Sequence, residues 1–546
     1  MSSSPEIQPQ SSEASGGTLR FVAAAIALAA LGAWHAYLYD FVADDTFIGL
    51  RYVRNFLAGH GPVFNIGDPV EGYTNFLWLA GLAAAGSTGA DLLLLARGFG
   101  YLCGAGLILL VISSGRHLMA RDARPWGRLV PGVLLCASIP LACWVPSGME
   151  TPGYALLVLA ALTMGMRDRP TSAYRIATGV VLGLTAWMRP EGLLVGLIAV
   201  AFVAPGTGRL RSMALTAGPL VLMVAAQLAF RRSYYGEWAP NTYYAKVGGG
   251  SWGTFMRGVA YVHVFVKGNG GAFLYTLPLV AAFWRRDRAW WFAATLLLGL
   301  AGGVALVGGD GLPMYRFCVP LIPIWALLMG VLLHAAVGLV EAQMRDRSRL
   351  ARRASTLLVL LLMVGSMLGK FKRSRPYQLY TDQKDYEVPE WTAAGKWLKK
   401  NSEPGDSVAC VPVGAVGYYS ELEVFDMVGL TDRHIAHLDV NLGSGWAGHE
   451  KRDGPYILSL RPTFLLIGNV QVDTNPALLS YRQLARISLS IFASREGDLF
   501  IPALERLYEP AVATLPEGRY MHYLRLRSAG PRGAPRAGDG GAGDGR

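Results

Sequence analysis

Charge is scarce in this chain: Asp, Glu, Lys and Arg make up 16% of its 546 residues, against about 25% in soluble domains. Cysteine is also scarce, and four of the five cysteines lie in or beside apolar stretches, so a disulfide framework is excluded. No Walker loop, nucleophile elbow or dinucleotide fingerprint stands in a strand–turn–helix context. These absences argue against a secreted disulfide-rich protein and against a soluble nucleotide-driven enzyme.

Long apolar runs are what the chain has instead, and they recur through its first two thirds, making it 52% hydrophobic. A helix needs about 20 apolar residues to cross a bilayer. The pattern therefore predicts an α-helical polytopic membrane protein with about eleven transmembrane helices. The predicted spans are roughly residues 21–39, 92–113, 129–145, 153–166, 176–188, 192–205, 213–230, 272–284, 289–307, 318–341 and 355–369.

The net charge of +12 comes mostly from arginines in short loops between these runs. If the N-terminus is cytoplasmic and the spans alternate, every arginine-dense short loop is cytoplasmic, as the positive-inside rule requires. This agreement holds only if Thr74–Ala85 does not span, so that stretch is predicted to be re-entrant or interfacial. The basic charge therefore indicates topology and not nucleic-acid binding, and we expect a multi-pass protein of the plasma membrane. The cytoplasmic loops are those at 116–128, 167–175, 209–211, 285–288 and 345–353.

The last third of the chain changes character, with periodic helix and strand patterns replacing long apolar runs. It is predicted to be an extracytoplasmic α/β domain with a helix at Val388–Asn401 and strands at Ser407–Pro412 and Thr463–Gly468. Four regions follow: a disordered cytoplasmic N-terminus (1–20), a transmembrane domain (21–370), the soluble domain (371–528) and a disordered Gly/Pro/Ala-rich tail (529–546).

Short polar motifs lie in the loops that this topology places outside. The only arginine cluster there is Arg231-Arg232, which opens a longer loop. Ionisable residues beside membrane spans are costly unless they serve a pathway or a site. The motifs therefore supply the candidate substrate-binding residues, which are Glu71, Tyr73, Asn75, Glu150, Arg189, Glu191, Asn241, Tyr244, Lys246, Asp310 and Arg316.

Asp44 and Asp45 follow the first span and open a predicted helix, Thr46–Ala58. One interpretation is structural: an N-cap and a first-turn acid are both favoured by the helix dipole. The other is a general base at the membrane surface. Neighbouring residues on a helix do not face each other, so one carboxylate can point at a substrate while the other caps or orients.

Three outer cations, Arg189, Lys246 and Arg316, also have two interpretations. They can snorkel to the interface, or they can bind the phosphate of a lipid, with Arg51 and Arg54 as the next candidates. Asn241, Tyr243 and Tyr244 can likewise be interface anchors or sugar contacts. The segment 434–439 has two histidines at helical spacing but lacks the framework of a metal motif. No metal site is predicted there, and dependence on a divalent metal stays open.

An ordered run of motifs between Asp44 and Trp78 resembles the GT-C superfamily of polytopic glycosyltransferases, in particular the group around the mycobacterial terminal β-(1→2)-arabinofuranosyltransferase. The run comprises DDTFI, RYVRN, GHGPVFN and VEGYTNFLW, and the segments 148–152, 241–246, 309–317 and 415–430 are also similar to that group. The resemblance implies an inverting transfer of a sugar, with arabinofuranose a candidate, from a polyprenyl-phosphate donor to a cell-envelope glycan on the outer face of the membrane. It implies Asp44 as the catalytic base, with Asp45 as second choice, and a C-terminal soluble domain that helps to hold the acceptor. The lipid-linked sugar is the donor substrate, and no cofactor is assigned.

Two other functions compete with the transferase. A transporter or flippase of lipid-linked sugars typically has half-helix repeats and a polar site near mid-membrane. Here the charged motifs collect at one face beside a folded domain, which favours chemistry at that face. A non-catalytic relative that only binds glycan is the third possibility, and the presence of Asp44 and Asp45 argues against it.

Overall fold

The computed structural model describes residues 11–119, 125–202, 208–247, 250–343, 365, 374–466, 468–488 and 497–527. Up to Gln343 the described part is helical. Its helices are α1 (Ser11–Tyr37), α2 (Asp44–Leu57), α3 (Phe76–Gly86), α4 (Leu92–Ser114), α5 (Val130–Cys136), α6 (Ile139–Trp144), α7 (Thr151–Gly165), α8 (Ser172–Met188), α9 (Gly192–Ala201), α10 (Arg209–Tyr234), α11 (Asn241–Lys246), α12 (Trp252–Gly268), α13 (Ala272–Arg285), α14 (Arg288–Leu306) and α15 (Leu321–Gln343).

Five of these helices are long and apolar enough to cross a membrane by length and composition. They are Gly17–Tyr37, Leu92–His117, Arg209–Tyr234, Arg288–Leu306 and Leu321–Leu339. Other apolar helices, such as α7, α9 and α13, are shorter. The count of about eleven spans therefore stays a prediction, and the predicted span 355–369 lies outside the described residues except for Gly365.

Helix α3 has 11 residues, which corresponds to about 16 Å of rise. A bilayer core is about 30 Å thick. The length of α3 therefore fits the re-entrant or interfacial placement predicted for Thr74–Ala85.

Three helical features differ from those that the sequence predicts. The predicted span 129–145 is two short helices, α5 and α6, because the Ser138 side chain caps Leu141 and Pro140 has no N–H to continue a helix. Helix α12 was not predicted, since Arg257, His263 and Lys267 interrupt its apolar pattern. Helix α1 begins at Ser11, so residues 11–20 of the predicted disordered N-terminus are helical; a helix nucleated in an apolar run extends upstream at little cost.

The described part of the last third is the predicted α/β domain. Its strands are β1 (Ser407–Cys410), β2 (Glu423–Asp426), β3 (Phe464–Leu466), β4 (Val472–Asp473), β5 (Tyr508–Thr514) and β6 (Tyr520–Leu526). They form one sheet in the order β2-β1-β3-β6-β4, with β5 also paired to β6. Strands β1, β2 and β3 are parallel and β6 runs antiparallel to its neighbours. The helices are α16 (Arg375–Asp382), α17 (Val388–Asn401), α18 (Val413–Ser420), α19 (Arg433–Ala436), α20 (Gly454–Leu460), α21 (Tyr481–Ser488) and α22 (Gly497–Leu507).

The predicted strands and the predicted amphipathic helix of this domain are present. Helix α17 has the bounds expected, and it buries Trp391, Ala394 and Leu398. Strand β1 is buried along its whole length, as a parallel strand covered on both faces should be. The domain therefore has a core of its own, on which α18 packs next to α2 of the helical region.

The orientation of the chain in the membrane is a prediction that follows from the arginine distribution. A reporter enzyme fused to the C-terminus should be active only outside the cytoplasm, and a reporter inserted in the loop 116–128 only inside it. Activity of the C-terminal fusion solely in the cytoplasm would contradict the orientation of every loop.

Candidate active site

Asp44 lies at the start of α2 and binds the beginning of α18, far along the chain. Its Oδ1 accepts a hydrogen bond from the backbone N–H of Ala415 at 2.7 Å, and its Oδ2 accepts one from Gly414 at 3.0 Å. A Cβ at position 414 would meet the Asp44 backbone oxygen at 2.1 Å, so only glycine allows this approach. Burial raises the pKa of Asp44 to about 7, although the two amides oppose the rise. Asp44 therefore caps a helix of the soluble domain.

The other end of α18 is held by two arginines of the same helix α2. Arg51 donates to the Gly417 and Leu422 carbonyls, both at 2.6 Å. Arg54 donates to the Tyr418 carbonyl at 2.7 Å. Acids at the N-terminus of a helix and cations at its C-terminus both interact favourably with the helix dipole and stabilise the helix. Arg51 and Arg54, the next candidates for binding a phosphate, thus dock the soluble domain.

Asp45, the next residue, points away from α18 into a cavity of about 540 Å³. The side chain is 23% exposed and its Oδ2 receives a hydrogen bond from Arg316 at 3.3 Å. Its Oδ1 accepts no hydrogen bond from any residue that the structure describes. The sequence favoured Asp44 as the base and Asp45 as second choice. The Asp44 carboxylate accepts two backbone N–H groups, whereas the Asp45 side chain lines the cavity.

The cavity brings most of the predicted motifs together. The helical region supplies residues from α2, from the loops before α3, α7, α9 and α11 and from the Gly309–Phe317 segment, and the soluble domain supplies Leu430, Ala447 and Gly448. Nine candidates from the sequence line it: Asp45, Tyr73, Asn75, Glu150, Arg189, Glu191, Lys246, Asp310 and Arg316.

Arg316 is bound by two carboxylates. Its Nε donates to Asp310 Oδ2 at 2.7 Å and its Nη2 donates to Asp310 Oδ1 at 3.0 Å, a bidentate pair, while its Nη1 binds Asp45. The preceding residues Met314 and Tyr315 have left-handed φ angles of 58° and 54°. Such strain concentrates at functional sites, and here it turns the chain so that the Arg316 guanidinium is buried between Asp45 and Asp310.

Arg189 is also bound by two carboxylates. Its Nη1 donates to Glu150 at 2.6 Å and its Nη2 to Glu191 at 3.0 Å. The second oxygen of Glu150 accepts from the Asn75 amide at 2.8 Å. The Phe317 ring contacts both guanidiniums, with the Arg189 and Arg316 Cζ atoms 4.6 and 5.0 Å from its centroid. The predicted polar motifs are therefore one ion-paired wall of the cavity.

A third buried pair explains the arginine cluster that breaks the positive-inside pattern. Arg231 Nη2 donates to Glu71 Oε1 at 3.1 Å, and both side chains are at least nine-tenths buried. A buried charge must be paired, and Arg231 is paired with the loop before α3 through Glu71. Glu71 itself does not line the cavity, whereas Arg231 does.

Lys246 is the cavity cation whose charge is uncompensated. It lines the cavity and forms no ion pair with any of the residues that the structure describes. Burial lowers the pKa of His449; Lys246 also lowers it, while Asp45 opposes the shift. Lys246 and Asp45 both line the cavity.

Asn241 and Tyr244, both predicted to bind substrate, contact the soluble domain and do not line the cavity. The Asn241 amide donates to the Gly429 and Leu430 carbonyls at 2.9 and 3.1 Å. The Tyr244 ring stacks on His437, with centroids 4.3 Å apart. The cavity is lined instead by Tyr243, which the sequence offered as an interface anchor or a sugar contact, and by Trp238, which the sequence did not single out. Alternation on a one-turn helix could have separated Tyr243 from Tyr244, since their side chains point different ways.

No group of three or more His, Cys, Asp or Glu side chains that could hold a metal ion is found among the described residues. His434 binds Asp453 at 2.8 Å. Among the residues that the structure describes, the cavity thus presents the Asp45 carboxylate with one oxygen that accepts no hydrogen bond, the Lys246 ammonium without an ion pair, and two arginines paired with carboxylates.

Asp44→Ala should destabilise the soluble domain, because it removes two hydrogen bonds to a charged acceptor, each worth about 1.5–3 kcal/mol. Asp44→Asn keeps one acceptor oxygen and should lose less. Asp45→Ala is the matched control, since Asp45 makes no contact with α18, and it should change stability little. The measurement is thermal unfolding of the detergent-solubilised chain together with limited proteolysis of the soluble domain; equal stability of Asp44→Ala and wild type would contradict the capping role.

Comparisons with known proteins give the fold and two relatives. A family model described as "Domain of unknown function (DUF8728)" matches residues 377–515. The terminal β-(1→2)-arabinofuranosyltransferase of Mycobacterium tuberculosis is 36% identical over 260 residues, covering 44% of this chain and 40% of that protein. The protein of the same name from Corynebacterium glutamicum is 29% identical over 306 residues, covering 47% and 40%. The matches thus span about two fifths of the length of these relatives.

Two solved structures share the fold. ArnT from Cupriavidus metallidurans bound to undecaprenyl phosphate has a TM-score of 0.56 at 13% identity, covering 95% of this chain and 100% of that one. AglB from Archaeoglobus fulgidus, an archaeal oligosaccharyltransferase in complex with an inhibitory peptide and a dolichol-phosphate, has a TM-score of 0.50 at 12% identity, covering 91% and 74%. The resemblance predicted from the sequence is therefore confirmed, and the chain has the fold of the GT-C membrane glycosyltransferases.

Proposed function

We propose that this protein is an inverting glycosyltransferase that moves a sugar from a polyprenyl-phosphate donor to a cell-envelope glycan, with Asp45 as the general base. The observation that carries the proposal is the Asp45 carboxylate, which Arg316 holds in the cavity through Oδ2, while Oδ1 accepts no hydrogen bond from the part of the chain that the structure describes. A base must reach the proton that it takes, and Asp45 is open to the cavity where Asp44 is not.

The reaction needs one proton transfer and one displacement. An acceptor hydroxyl gives its proton to Asp45 Oδ1, and its oxygen attacks the anomeric carbon of the donor sugar. The bond between that carbon and the phosphate oxygen breaks, and the bonding electrons leave with the polyprenyl phosphate. Because attack and departure occur on opposite faces of the sugar, the anomeric configuration inverts. Arg316, bound to Asp310 as well, orients the Asp45 carboxylate for this step.

The cavity suits a donor that is apolar at one end and anionic at the other. Leu193, Val224 and Leu228 line it from the helices α9 and α10, where a polyprenyl chain can enter from lipid. Arg189 and Arg316 are already neutralised by four carboxylates, so they attract a further anion weakly. We therefore assign the phosphate of the donor to Lys246, and the earlier alternatives Arg189 and Arg316 become elements of the wall.

The candidate sugar is arabinofuranose. Both curated relatives are named terminal β-(1→2)-arabinofuranosyltransferase, and the solved structures of the same fold hold undecaprenyl phosphate or a dolichol-phosphate. These names support a lipid-linked donor and a pentofuranose for this chain. The motifs from the predicted outer loops support a reaction on the outer face of the plasma membrane.

Asp45→Asn should lower turnover by about 10²–10⁴-fold, because it keeps the shape of the side chain and removes its ability to accept a proton. The measurement is sugar transfer by the purified chain from a synthetic polyprenyl-phosphoryl arabinofuranose to an arabinofuranose oligosaccharide. Asp44→Asn is the matched control and should retain most of the turnover.

Near-normal transfer by Asp45→Asn, with loss in Asp44→Asn, would restore the assignment that the sequence favoured. A wild-type chain that moved the lipid-linked sugar across vesicle membranes without transferring it would favour the transporter.

Lys246→Ala should raise the KM for the donor more than tenfold, since loss of a buried charge-assisted contact costs on the order of 2–5 kcal/mol. Lys246→Arg keeps a cation and should lose less. Lys267, exposed at the end of α12, provides a control in Lys267→Ala, which should leave the donor KM unchanged. A normal donor KM in Lys246→Ala would place the phosphate elsewhere on the wall.

A further inference from the structure

A second cavity, of about 210 Å³, lies beside the first among the helices α7, α9 and α14. Arg189, Arg316 and Phe317 line both cavities, so the two share the ion-paired wall. All the residues that line the second cavity belong to the helical region, and Asp45 and Lys246 line only the first. The second cavity is therefore separate from the groups that the proposed reaction uses.

Apolar side chains form most of the lining of this second cavity. They come from α9, from the end of α14 and from the segment after Arg316, and they include Leu194, Leu300, Val304, Leu306, Val307 and Pro320. Leu306 lines the cavity and is also 65% exposed. The cavity thus reaches the outer surface of the helical region, which lipid covers in a membrane protein.

Two buried hydroxyl groups also line the second cavity. Thr151 and Tyr154 are in the first turn of α7 and are 2% and 3% exposed. Residues three apart share a face of a helix, so both side chains reach the same cavity. Neither Thr151 Oγ1 nor the Tyr154 hydroxyl has a hydrogen-bond partner among the residues that the structure describes. Because buried polar groups are nearly always paired, these two donors indicate a ligand that offers acceptor oxygens.

The depth of the second cavity fits the ester groups of a phospholipid. Helix α14 has 19 residues, which corresponds to about 28 Å of rise, and the hydrocarbon core of a bilayer is about 30 Å thick. The end of α14 at Leu306 therefore lies near one edge of the core. At that edge the glycerol esters of a phospholipid join its acyl chains to its head group.

Other ligands fit this lining less well. A polyprenyl chain is a hydrocarbon and has no acceptor for either hydroxyl. A glycan would have to give up water at many hydroxyl groups against apolar side chains, which is costly. Arg189 and Arg316 are already paired with carboxylates, so they attract a free anion weakly. A diacyl phospholipid has both ester carbonyls that accept hydrogen bonds and acyl chains that cover apolar surface.

We infer that the second cavity binds a diacyl phospholipid of the surrounding membrane, whose ester carbonyl oxygens accept hydrogen bonds from Thr151 and Tyr154. The acyl chains lie against the apolar residues of α9 and α14. Because Arg316 and Phe317 line both cavities, the bound lipid packs against the wall that holds Asp45. The site depends on no transfer chemistry, so it stands or falls independently of the proposed function.

The test measures phospholipid binding to the full chain in detergent micelles by native mass spectrometry, with diester and diether phosphatidylglycerol of equal chain length. The diether lacks the carbonyl oxygens. Wild type should bind the diester about tenfold more tightly, since each of the two hydrogen bonds contributes about threefold. The double variant Thr151→Val with Tyr154→Phe removes both hydroxyls, nearly keeps the shape, and should lose this preference. Thr163→Val is the matched control on the same helix; the Thr163 hydroxyl donates to the Leu159 carbonyl, and the preference should remain.

The comparison of the two lipids on wild type needs no variant, so it decides the matter even where the double variant fails to fold. Equal binding of diester and diether by wild type overturns the site, because the lipid then covers the chain without meeting the hydroxyls. A preference that survives in the double variant overturns it as well. Displacement of the bound diester by polyprenyl phosphate assigns the second cavity to the donor and also overturns the inference.

Discussion

The helix α2 holds the helix α18 by both ends, and the geometry of the cavity depends on that contact. Asp44 satisfies the first amides of α18, and Arg51 and Arg54 satisfy its last carbonyls. These are the groups that a helix leaves unpaired at its termini, so the docking replaces water with charged partners of the right sign at each end. Helix α2 is thereby fixed between the soluble domain and the membrane helices.

Fixing α2 also determines where Asp45 points. Successive residues on an α-helix are rotated by about 100°, so when Asp44 faces α18 its neighbour must face another way. In this fold that direction is the cavity, where Arg316 receives the carboxylate. The two aspartates thus have different contacts: Asp44 holds the soluble domain, and that contact gives Asp45 a defined position in the cavity, where the proposed reaction needs a base. The same docking brings Ala447 and Gly448 against Lys246.

The sequence predicted which residues line the wall of the cavity but did not separate the roles of the neighbouring aspartates. Polar residues at the ends of apolar spans mark a site wherever they occur, because burial near lipid is costly without a purpose; Glu150, Arg189 and Asp310 were found in this way. The roles of Asp44 and Asp45 could not be separated, because the amides that occupy Asp44 lie about 370 positions further on and leave no local pattern. The break at Ser138 was readable from Pro140, whereas the count of spans was not, since apolar length alone does not distinguish a short buried helix from a spanning one.

The balance of charge in the cavity determines how it can bind both substrates of the proposed reaction, the anionic lipid donor and the glycan acceptor. Arginines paired with carboxylates are rigid, and they hold the Asp45 carboxylate without attracting an anion strongly, because their charge is already neutralised. A lone lysine beside them is a compact charge that can meet a phosphate. In the proposed reaction the phosphate of the donor therefore binds at Lys246, at one point of the cavity. Helix α2 contacts both the soluble domain and the neighbouring helix α3, so it can hold the Asp45 base in a fixed position relative to both regions.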